Sequence, residues 1–492
     1  MIANIVFWGW PVFGFILFQR LPIVQASLWT VIGGYLILPL HMSLDLPALP
    51  AIDRDMIAVG SAMACAVITS AQYRAKFVTT EISQHRSLPG WVPQFKVIKI
   101  LLIILILSSI LTVLSNRDTV ASGGRILIGM GIYDVFSWIL TALVTMMPFV
   151  LARKFLSYEE GQRALLFVLC FAGLISSLPT LYEERMSPQL HKIIYGGNGV
   201  AWKQNLRSGG FRPAVFLGHG LTLGIFMAIA VLATAGCVRT LSAARKPIFV
   251  VAFLWLFGTL VLIKAFGALL IVILLAPVVF LCGARFQMLI AGSIAIIIMS
   301  YPILRGTDLV PTDMLVRNAA KIDLQRAASL EFRFDNEDEL LEKASQRPAF
   351  GWGGWGRSRV YDERGRDVGT TDGQWAIILG LGGWVRYLTV FGLLSVSVLI
   401  LAFKKKDYEV SIATSSLCLV LVANLIDLIP NAGLSIVTWT IAGALAGRLE
   451  VGAQTTEVPV KAESLTTDRH YPYARRPPRQ FQARGSTVQK EM

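Results

Sequence analysis

The sequence predicts an all-α fold: a polytopic membrane helix bundle of about 12–13 transmembrane helices with one large, partly helical outer loop. Three observations predict it. The first is composition. The 492 residues are 54% hydrophobic and 15% charged, with a mean hydropathy of +0.61, whereas soluble domains carry roughly 25% charged residues. The second is length. Repeated apolar runs of about 20 residues suit helices that pair their own backbone groups in lipid. The third is one polar segment, Leu304 to Thr371, set between two strongly apolar runs. A span that only anchors needs no such segment, so the chemistry is sought there.

The apolar runs fall near 2–19, 23–43, 56–73, 97–115, 130–152, 164–182, 213–236, 248–263, 266–283, 286–303, 374–402, 411–428 and 433–447. The first lacks a basic start and is followed by further spans, so no cleavable signal peptide is expected. Basic loops lie at Arg74/Lys76/Arg86/Lys96, Arg153/Lys154/Arg163, Arg239/Arg245/Lys246, Arg285 and Lys404/Lys405/Lys406. Each is separated from the next by an even number of spans, so all can face the cytoplasm together. The other side then receives Asp45–Asp55, Asn116–Arg125, Glu183–Arg212 and Leu304–Thr371. The net charge of +14 is thereby topological, and no nucleic-acid partner is expected. Residues 1–448 form the membrane domain. Residues 449–492, with Pro472, Pro477, Pro478 and the cluster Arg475, Arg476, Arg479 and Arg484, read as a disordered basic cytoplasmic tail within reach of anionic headgroups.

The five cysteines and five histidines show no metal-ligand spacing and no disulfide framework, so no metal or cofactor is expected. No internal repeat of the transporter kind is visible.

Within the outer segment, Gln325–Gln346 has helical spacing, with Leu330, Phe334, Leu341 and Ala344 on one stripe. Arg326 and Arg333 share a face two turns apart, and Glu337 lies one turn after Arg333. Two readings stay open. One is a surface helix held by i,i+4 pairs. The other is a pair of guanidinium forks that match phosphate oxygens. Next, Pro348 stops the helix, and the glycines of Pro348–Gly356 permit turns with positive φ. Trp352 and Trp355 suit a membrane interface or a stacked sugar ring. Asp372 opens the eleventh span, either as a helix N-cap or as a base.

Earlier, Arg207 and Arg212 stand at the outer mouth of the seventh span, and His219 is expected about two turns into its apolar run. A buried imidazole there either bonds a neighbouring helix or serves a site. Lys264, between two apolar runs, marks a turn, snorkels to the interface, or receives a phosphate.

In order, these pieces resemble the O-antigen ligase and exopolysaccharide polymerase superfamily of bacterial inner-membrane glycosyltransferases. The resemblance rests on Arg212-Pro213…Phe216…His219-Gly220, Lys264, the arginine-bearing helix, Pro348…Gly351…Gly353, and Asp372 followed by Gly383. It covers residues of about 200–402, including the loop 304–371. Ligases of that superfamily open this span with His-Asn, where this chain has Asp372-Gly373; the departure favours the polymerase-like branches. The resemblance implies metal-independent transfer of a polyprenyl-diphosphate-linked oligosaccharide on the periplasmic face. Asp372, Arg333 and Arg326 would be catalytic, and Arg207, Arg212, His219, Lys264, Trp352 and Trp355 would bind diphosphate or sugar. Other polysaccharide export proteins are expected partners, beside membrane lipid. The alternatives are a transporter or flippase of lipid-linked sugars, or a non-catalytic partner of an export complex. A catalyst requires Arg207, Arg212, Arg326, Arg333 and Asp372 to converge on one cavity; the alternatives do not.

Overall fold

A computed structural model describes the chain except residues 46–49, 77–86, 197–204, 208–209, 322–323, 370–371, 405–407, 409 and 458–492. The chain runs α1 (Ile2–Arg20), α2 (Ile23–Ile37), α3 (Arg54–Lys76), α4 (Lys96–Leu114), β1 (Val120–Ser122), β2 (Arg125–Leu127), α5 (Ile132–Phe155), α6 (Glu159–Met186) and α7 (Leu190–Tyr195). It continues through β3 (Leu206–Arg207), β4 (Gly210–Phe211), α8 (Gly220–Thr240), α9 (Lys246–Leu262), α10 (Phe266–Leu281) and α11 (Ala284–Gly306). The last elements are α12 (Thr312–Ala320), α13 (Leu324–Ser345), α14 (Gln374–Phe403), α15 (Ile412–Asp427) and α16 (Ile436–Glu457). Among the described residues, four short strands pair antiparallel, β1 with β2 and β3 with β4.

This is an all-α polytopic membrane bundle. Among the described residues, seven helices (α1, α4, α5, α6, α8, α11 and α14) are long and apolar enough to cross a membrane, and α2, α9, α10 and α15 are shorter apolar helices. With α3 and α16 these elements coincide with the apolar runs of the sequence. Their outward faces carry bare aliphatic side chains such as Ile103, Leu143, Leu254 and Ile297, as lipid contact requires. The centre is α8, packed on α6, α9, α10 and α15, with residues from Leu223 to Val238 buried.

One run differs in its start. The helix α8 begins only at Gly220, not near Pro213. Val215 and Gly218 have positive φ, 49° and 80°, and the buried Glu183 carboxylate accepts the amides of Ala214 and Val215 at 3.0 and 2.7 Å. A glutamate that satisfies turn amides competes with the first helical turn.

The two ends of the bundle are distinct. At one end Arg153 pairs with Glu450, while Lys154 Nζ donates to the Leu88 carbonyl at 2.9 Å. Both cations are almost fully buried, so they clamp loops together besides any topological role. Leu449 and Glu450 are buried here too, and α16 continues to Glu457. The tail arginines, Arg86, Lys405 and Lys406 lie outside the described residues.

The other end carries the polar segments. Arg347 reaches Asn116 Oδ1 at 2.7 Å and Asp118 at 2.5 Å. The fully buried Arg357 donates to the carbonyls of Trp352, Asp118 and Ile128 and to the Asp118 carboxylate. The guanidinium of Arg347 holds the Asp118 carboxyl below its ordinary value. These bonds tie the long loop to the α4–α5 connection.

The loop is also built into a membrane helix. Gly383 interrupts α14 with φ 64° and ψ −168°. The Pro348–Gly353 element fills the gap. The amides of Trp352 and Gly353 donate to the carbonyls of Gly380 and Leu381 at 2.9 Å each. The amides of Trp384 and Val385 donate to Pro348 and Ala349 at 2.8 and 3.3 Å. Irregular backbone at membrane depth is tolerated where protein satisfies it. A Cβ on Gly383 would sit 2.4 Å from the Ala349 oxygen, and one on Gly351 2.6 Å from the Gly382 and Gly383 nitrogens. The two glycines therefore require each other.

Candidate functional site

The start of α14 gathers several polar groups. Gly373, with φ 83°, leads into the helix. The Gln374 amide donates to the carbonyls of Leu428 and Asn431 at 2.9 and 3.1 Å. Its side-chain Oε1 accepts from Gly433 and Leu434 at 3.2 and 3.3 Å. The α15–α16 turn is thus locked beneath Asp372.

From the loop side, α13 brings Arg333 to the same place. Arg333 Nε lies 3.8 Å from Asp372 Oδ2, with side chains 28% and 38% exposed. Both stay open to a ligand. Arg333 is also within electrostatic range of Asp427, which ends α15 and accepts from Asn431 at 2.8 Å. The expected N-cap is not made: α14 has no side-chain cap, and Asp372 points instead at the arginine. Arg326 lies on α13, two turns before Arg333, but its side chain is outside the described residues.

Glu337 does not pair with Arg333 as the i,i+4 spacing allows. It turns inward to Arg305 of α11, 3.6 Å from Nε, and accepts from the Tyr301 hydroxyl at 3.2 Å. The Arg305 guanidinium is shared, bonding Asp338 at 2.7 Å and the Phe334 carbonyl at 3.3 Å. Burial pushes the Glu337 carboxyl up to about 7, against the opposing pull of Tyr301 and Arg305. Neither Arg305 nor Glu337 stands out in the pattern. The available signal is that Glu337 occupies the gap between Phe334 and Leu341 in the apolar stripe of α13.

A second polar group forms where α6, the β3–β4 hairpin and the α9–α10 turn meet. Lys264 takes φ 60° in that turn and pairs with Glu184 at 3.5 Å. Arg212 donates to the Lys264 carbonyl at 3.3 Å. Gly210 makes room, since a Cβ there would sit 2.2 Å from Lys264 Nζ. His219 is not within the span. It caps α8, its Nδ1 accepting from the Leu221 amide at 3.2 Å. Arg207 lies in β3, with its side chain outside the described residues. No ion pair or hydrogen bond joins Arg212, His219 or Lys264 to Arg333 or Asp372 among the described residues. Of the five residues expected to converge on one cavity, Arg333 and Asp372 meet, Arg212 instead meets Lys264, and the side chains of Arg207 and Arg326 lie outside the described residues.

The tryptophans divide. Trp352 is 6% exposed. Lys343 and Arg347 stack on its ring at 4.1 and 4.4 Å, and its indole donates to the Lys343 carbonyl at 2.7 Å. That ring is structural, with no face left for a sugar. Trp355 is 73% exposed, held by an indole bond to Asp134 at 3.0 Å, and keeps its ring free.

No cluster of three His, Cys, Asp or Glu side chains is placed to hold a metal among the described residues. The chain matches no protein-family model and no curated protein.

Proposed function

We propose that this chain is a glycosyltransferase-like polysaccharide polymerase or ligase of a bacterial inner membrane, acting on a polyprenyl-diphosphate-linked oligosaccharide at the periplasmic face. The observation that carries the reading is the meeting of Arg333 and Asp372 at the head of α14. A cation from the long loop and a carboxylate from a span stand 3.8 Å apart, both partly exposed. The sequence resemblance of the loop, with Pro348…Gly351…Gly353 and Asp372 followed by Gly383, supports the same reading.

In this reaction an acceptor sugar hydroxyl attacks the anomeric carbon of the lipid-linked chain. A new glycosidic C–O bond forms, and the C–O bond to the lipid diphosphate breaks. Asp372 accepts the hydroxyl proton. Arg333 stabilises the charge that develops on the departing diphosphate, which keeps both bonding electrons. Before substrate arrives the two side chains neutralise each other, so binding of a diphosphate would release Asp372 from its partner. Arg212 and Lys264 supply a second cationic group for the same substrate class. Trp355 offers a free ring face for a sugar.

The test is the polysaccharide profile of a strain lacking the protein. Loss of long chains with single repeats retained indicates polymerisation. Free polymer retained on its lipid carrier indicates ligation. An unchanged profile would remove the proposal.

A further inference from the structure

The loop element that fills the broken helix borders a cleft that the reacting pair does not use. The cleft is about 510 Å³ and opens between the end of α4 and Pro348–Gly351. Leu114, Ser115, Arg117, Asp118, Arg347 and Phe350 line it. Its volume falls among those of small-ligand sites, roughly 300–1,000 Å³. Pro348 also lines a neighbouring cleft of about 470 Å³, which holds Asp338 and Glu342 and, among the described residues, no cation. The two clefts differ in sign.

Cations outnumber carboxylates in and behind the first cleft. Arg117 is exposed and makes no side-chain hydrogen bond or ion pair among the described residues. Arg347 is 25% exposed and pairs with Asp118, but spends only part of its fork. Nη1 donates to the Ser115 carbonyl, Asn116 and Asp118, and Nη2 to Asp118 alone. Nε and the second Nη2 hydrogen have no partner among the described residues, so they can still donate. Behind them, Arg357 shares Asp118, and Lys343 lies with Arg347 on the Trp352 ring. Burial holds the Lys343 ammonium below its ordinary value, and the nearby Arg347 and Arg357 add to the fall. Every ion pair that these four cations make among the described residues is to Asp118. Asp118 is itself half exposed, and its Oδ2 accepts one side-chain bond, from Arg347; a carboxylate oxygen can accept more.

A cleft with unspent guanidinium donors, one carboxylate acceptor and an aromatic wall fits a sugar that carries both an acid and hydroxyls. We propose that it binds an acidic sugar residue of the polysaccharide, with the sugar carboxylate on Arg117 and Arg347. The guanidinium groups donate to the carboxylate oxygens. Sugar hydroxyls donate to Asp118 Oδ2, and Phe350 offers an apolar wall to the ring. A doubly charged phosphate in the same place would lie against Asp118 and gain nothing from it. Arg347 is 14 residues beyond Arg333 along α13 and its end, or about 20 Å. The cleft is thus too distant to touch the reacting atoms, and it holds a part of the chain already built. This inference rests on the glycosyl-transfer reading and adds the acidic class of the polymer.

The test is calorimetric titration of the full-length protein in detergent at fixed ionic strength. The probes are tetragalacturonate and its neutral methyl ester. The wild type should bind the acid more tightly than the ester. Arg117→Met should weaken the acid about tenfold and leave the ester unchanged; Arg117 makes no bond that folding needs. Arg347→Lys should also weaken the acid, since a point charge replaces a fork. Arg364→Met, an exposed arginine of the same loop outside the cleft, should change nothing. No binding by the wild type, equal binding of acid and ester, full binding by Arg117→Met, or an equal loss in Arg364→Met would each overturn the site. Displacement of the acid by inorganic phosphate or by dioleoylphosphatidylglycerol at the same ionic strength would make it a phosphate site and overturn the saccharide. The titration needs no turnover, so the two readings fail separately. A protein that lengthens chains yet binds no tetragalacturonate loses the cleft alone. One that binds it in the cleft, while its deletion leaves the polysaccharide profile unchanged, loses the transfer reading alone.

Discussion

Replacing Gly383 by alanine tests the link between the long loop and the broken helix. The wild-type residue sits at φ 64° and ψ −168°, a region essentially reserved for glycine, where another residue costs about 1–3 kcal/mol. The new methyl would stand 2.4 Å from the Ala349 oxygen and 2.5 Å from the Pro348 oxygen. Both oxygens are hydrogen-bond acceptors for the break, so the loop element must withdraw. Withdrawal frees the four bonds joining Trp352, Gly353, Trp384 and Val385 to their partners. At roughly 0.5–1.5 kcal/mol each, their loss adds up to about 2–6 kcal/mol. Thermal unfolding in detergent reads the effect. The control is Gly258→Ala within α9, where nothing lies within 4 Å of the added Cβ and helix propensity favours alanine. Gly383→Ala should lower Tm by several degrees, and Gly258→Ala should leave it unchanged or raise it. Equal Tm values for the two variants would refute the interlock.

Three further outcomes follow from the same geometry. Because Asp372 makes no cap, Asp372→Asn and Asp372→Ala should unfold at the same temperature, while both lose about 10²–10⁴-fold in transfer rate; a less stable alanine variant would restore the cap. Glu337 keeps its proton to about pH 7 when folded, against an ordinary value of 4.5. The unfolded chain therefore releases that proton first, so stability is fully present below about pH 4.5 and declines as pH rises to about 7. Glu337→Gln should flatten that decline in Tm scans from pH 5 to pH 8, and an identical slope would contradict the assignment. Arg357→Ala should lower Tm more than Arg359→Ala, since the Arg357 side chain is fully buried on Asp118 while that of Arg359 is 42% exposed; equal effects would count against the Asp118 clasp.

The helices were legible because lipid imposes a single solution on each apolar run. Ser109, Tyr387 and other polar residues inside those runs bond carbonyls or neighbours without interrupting the helix. The glycine turns and the arginine-bearing helix were legible too, because their residue types have few other uses. Pairing was not. Glu337 lies one turn from Arg333 in sequence, yet Arg305 approaches from another helix and takes it. Trp352 reads as an interfacial aromatic until Lys343 and Arg347 are seen on its ring. His219 lies within an apolar run, but the buried Glu183 delays the helix and leaves the histidine as its cap. In each case the deciding partner is distant in the chain, and periodicity carries no information about it.

The most direct test of the account is a transfer assay with purified protein in proteoliposomes. A polyprenyl-diphosphate-linked oligosaccharide from the native polysaccharide serves as donor and acceptor, and product length and released lipid diphosphate are followed together. Wild-type protein should lengthen the chain and release one lipid diphosphate per bond formed. Arg333→Ala should nearly abolish both, and Arg333→Lys should restore only part, because a bidentate site is poorly served by a point charge. Full turnover by a correctly inserted Arg333→Ala protein would contradict the role given to the Arg333–Asp372 pair.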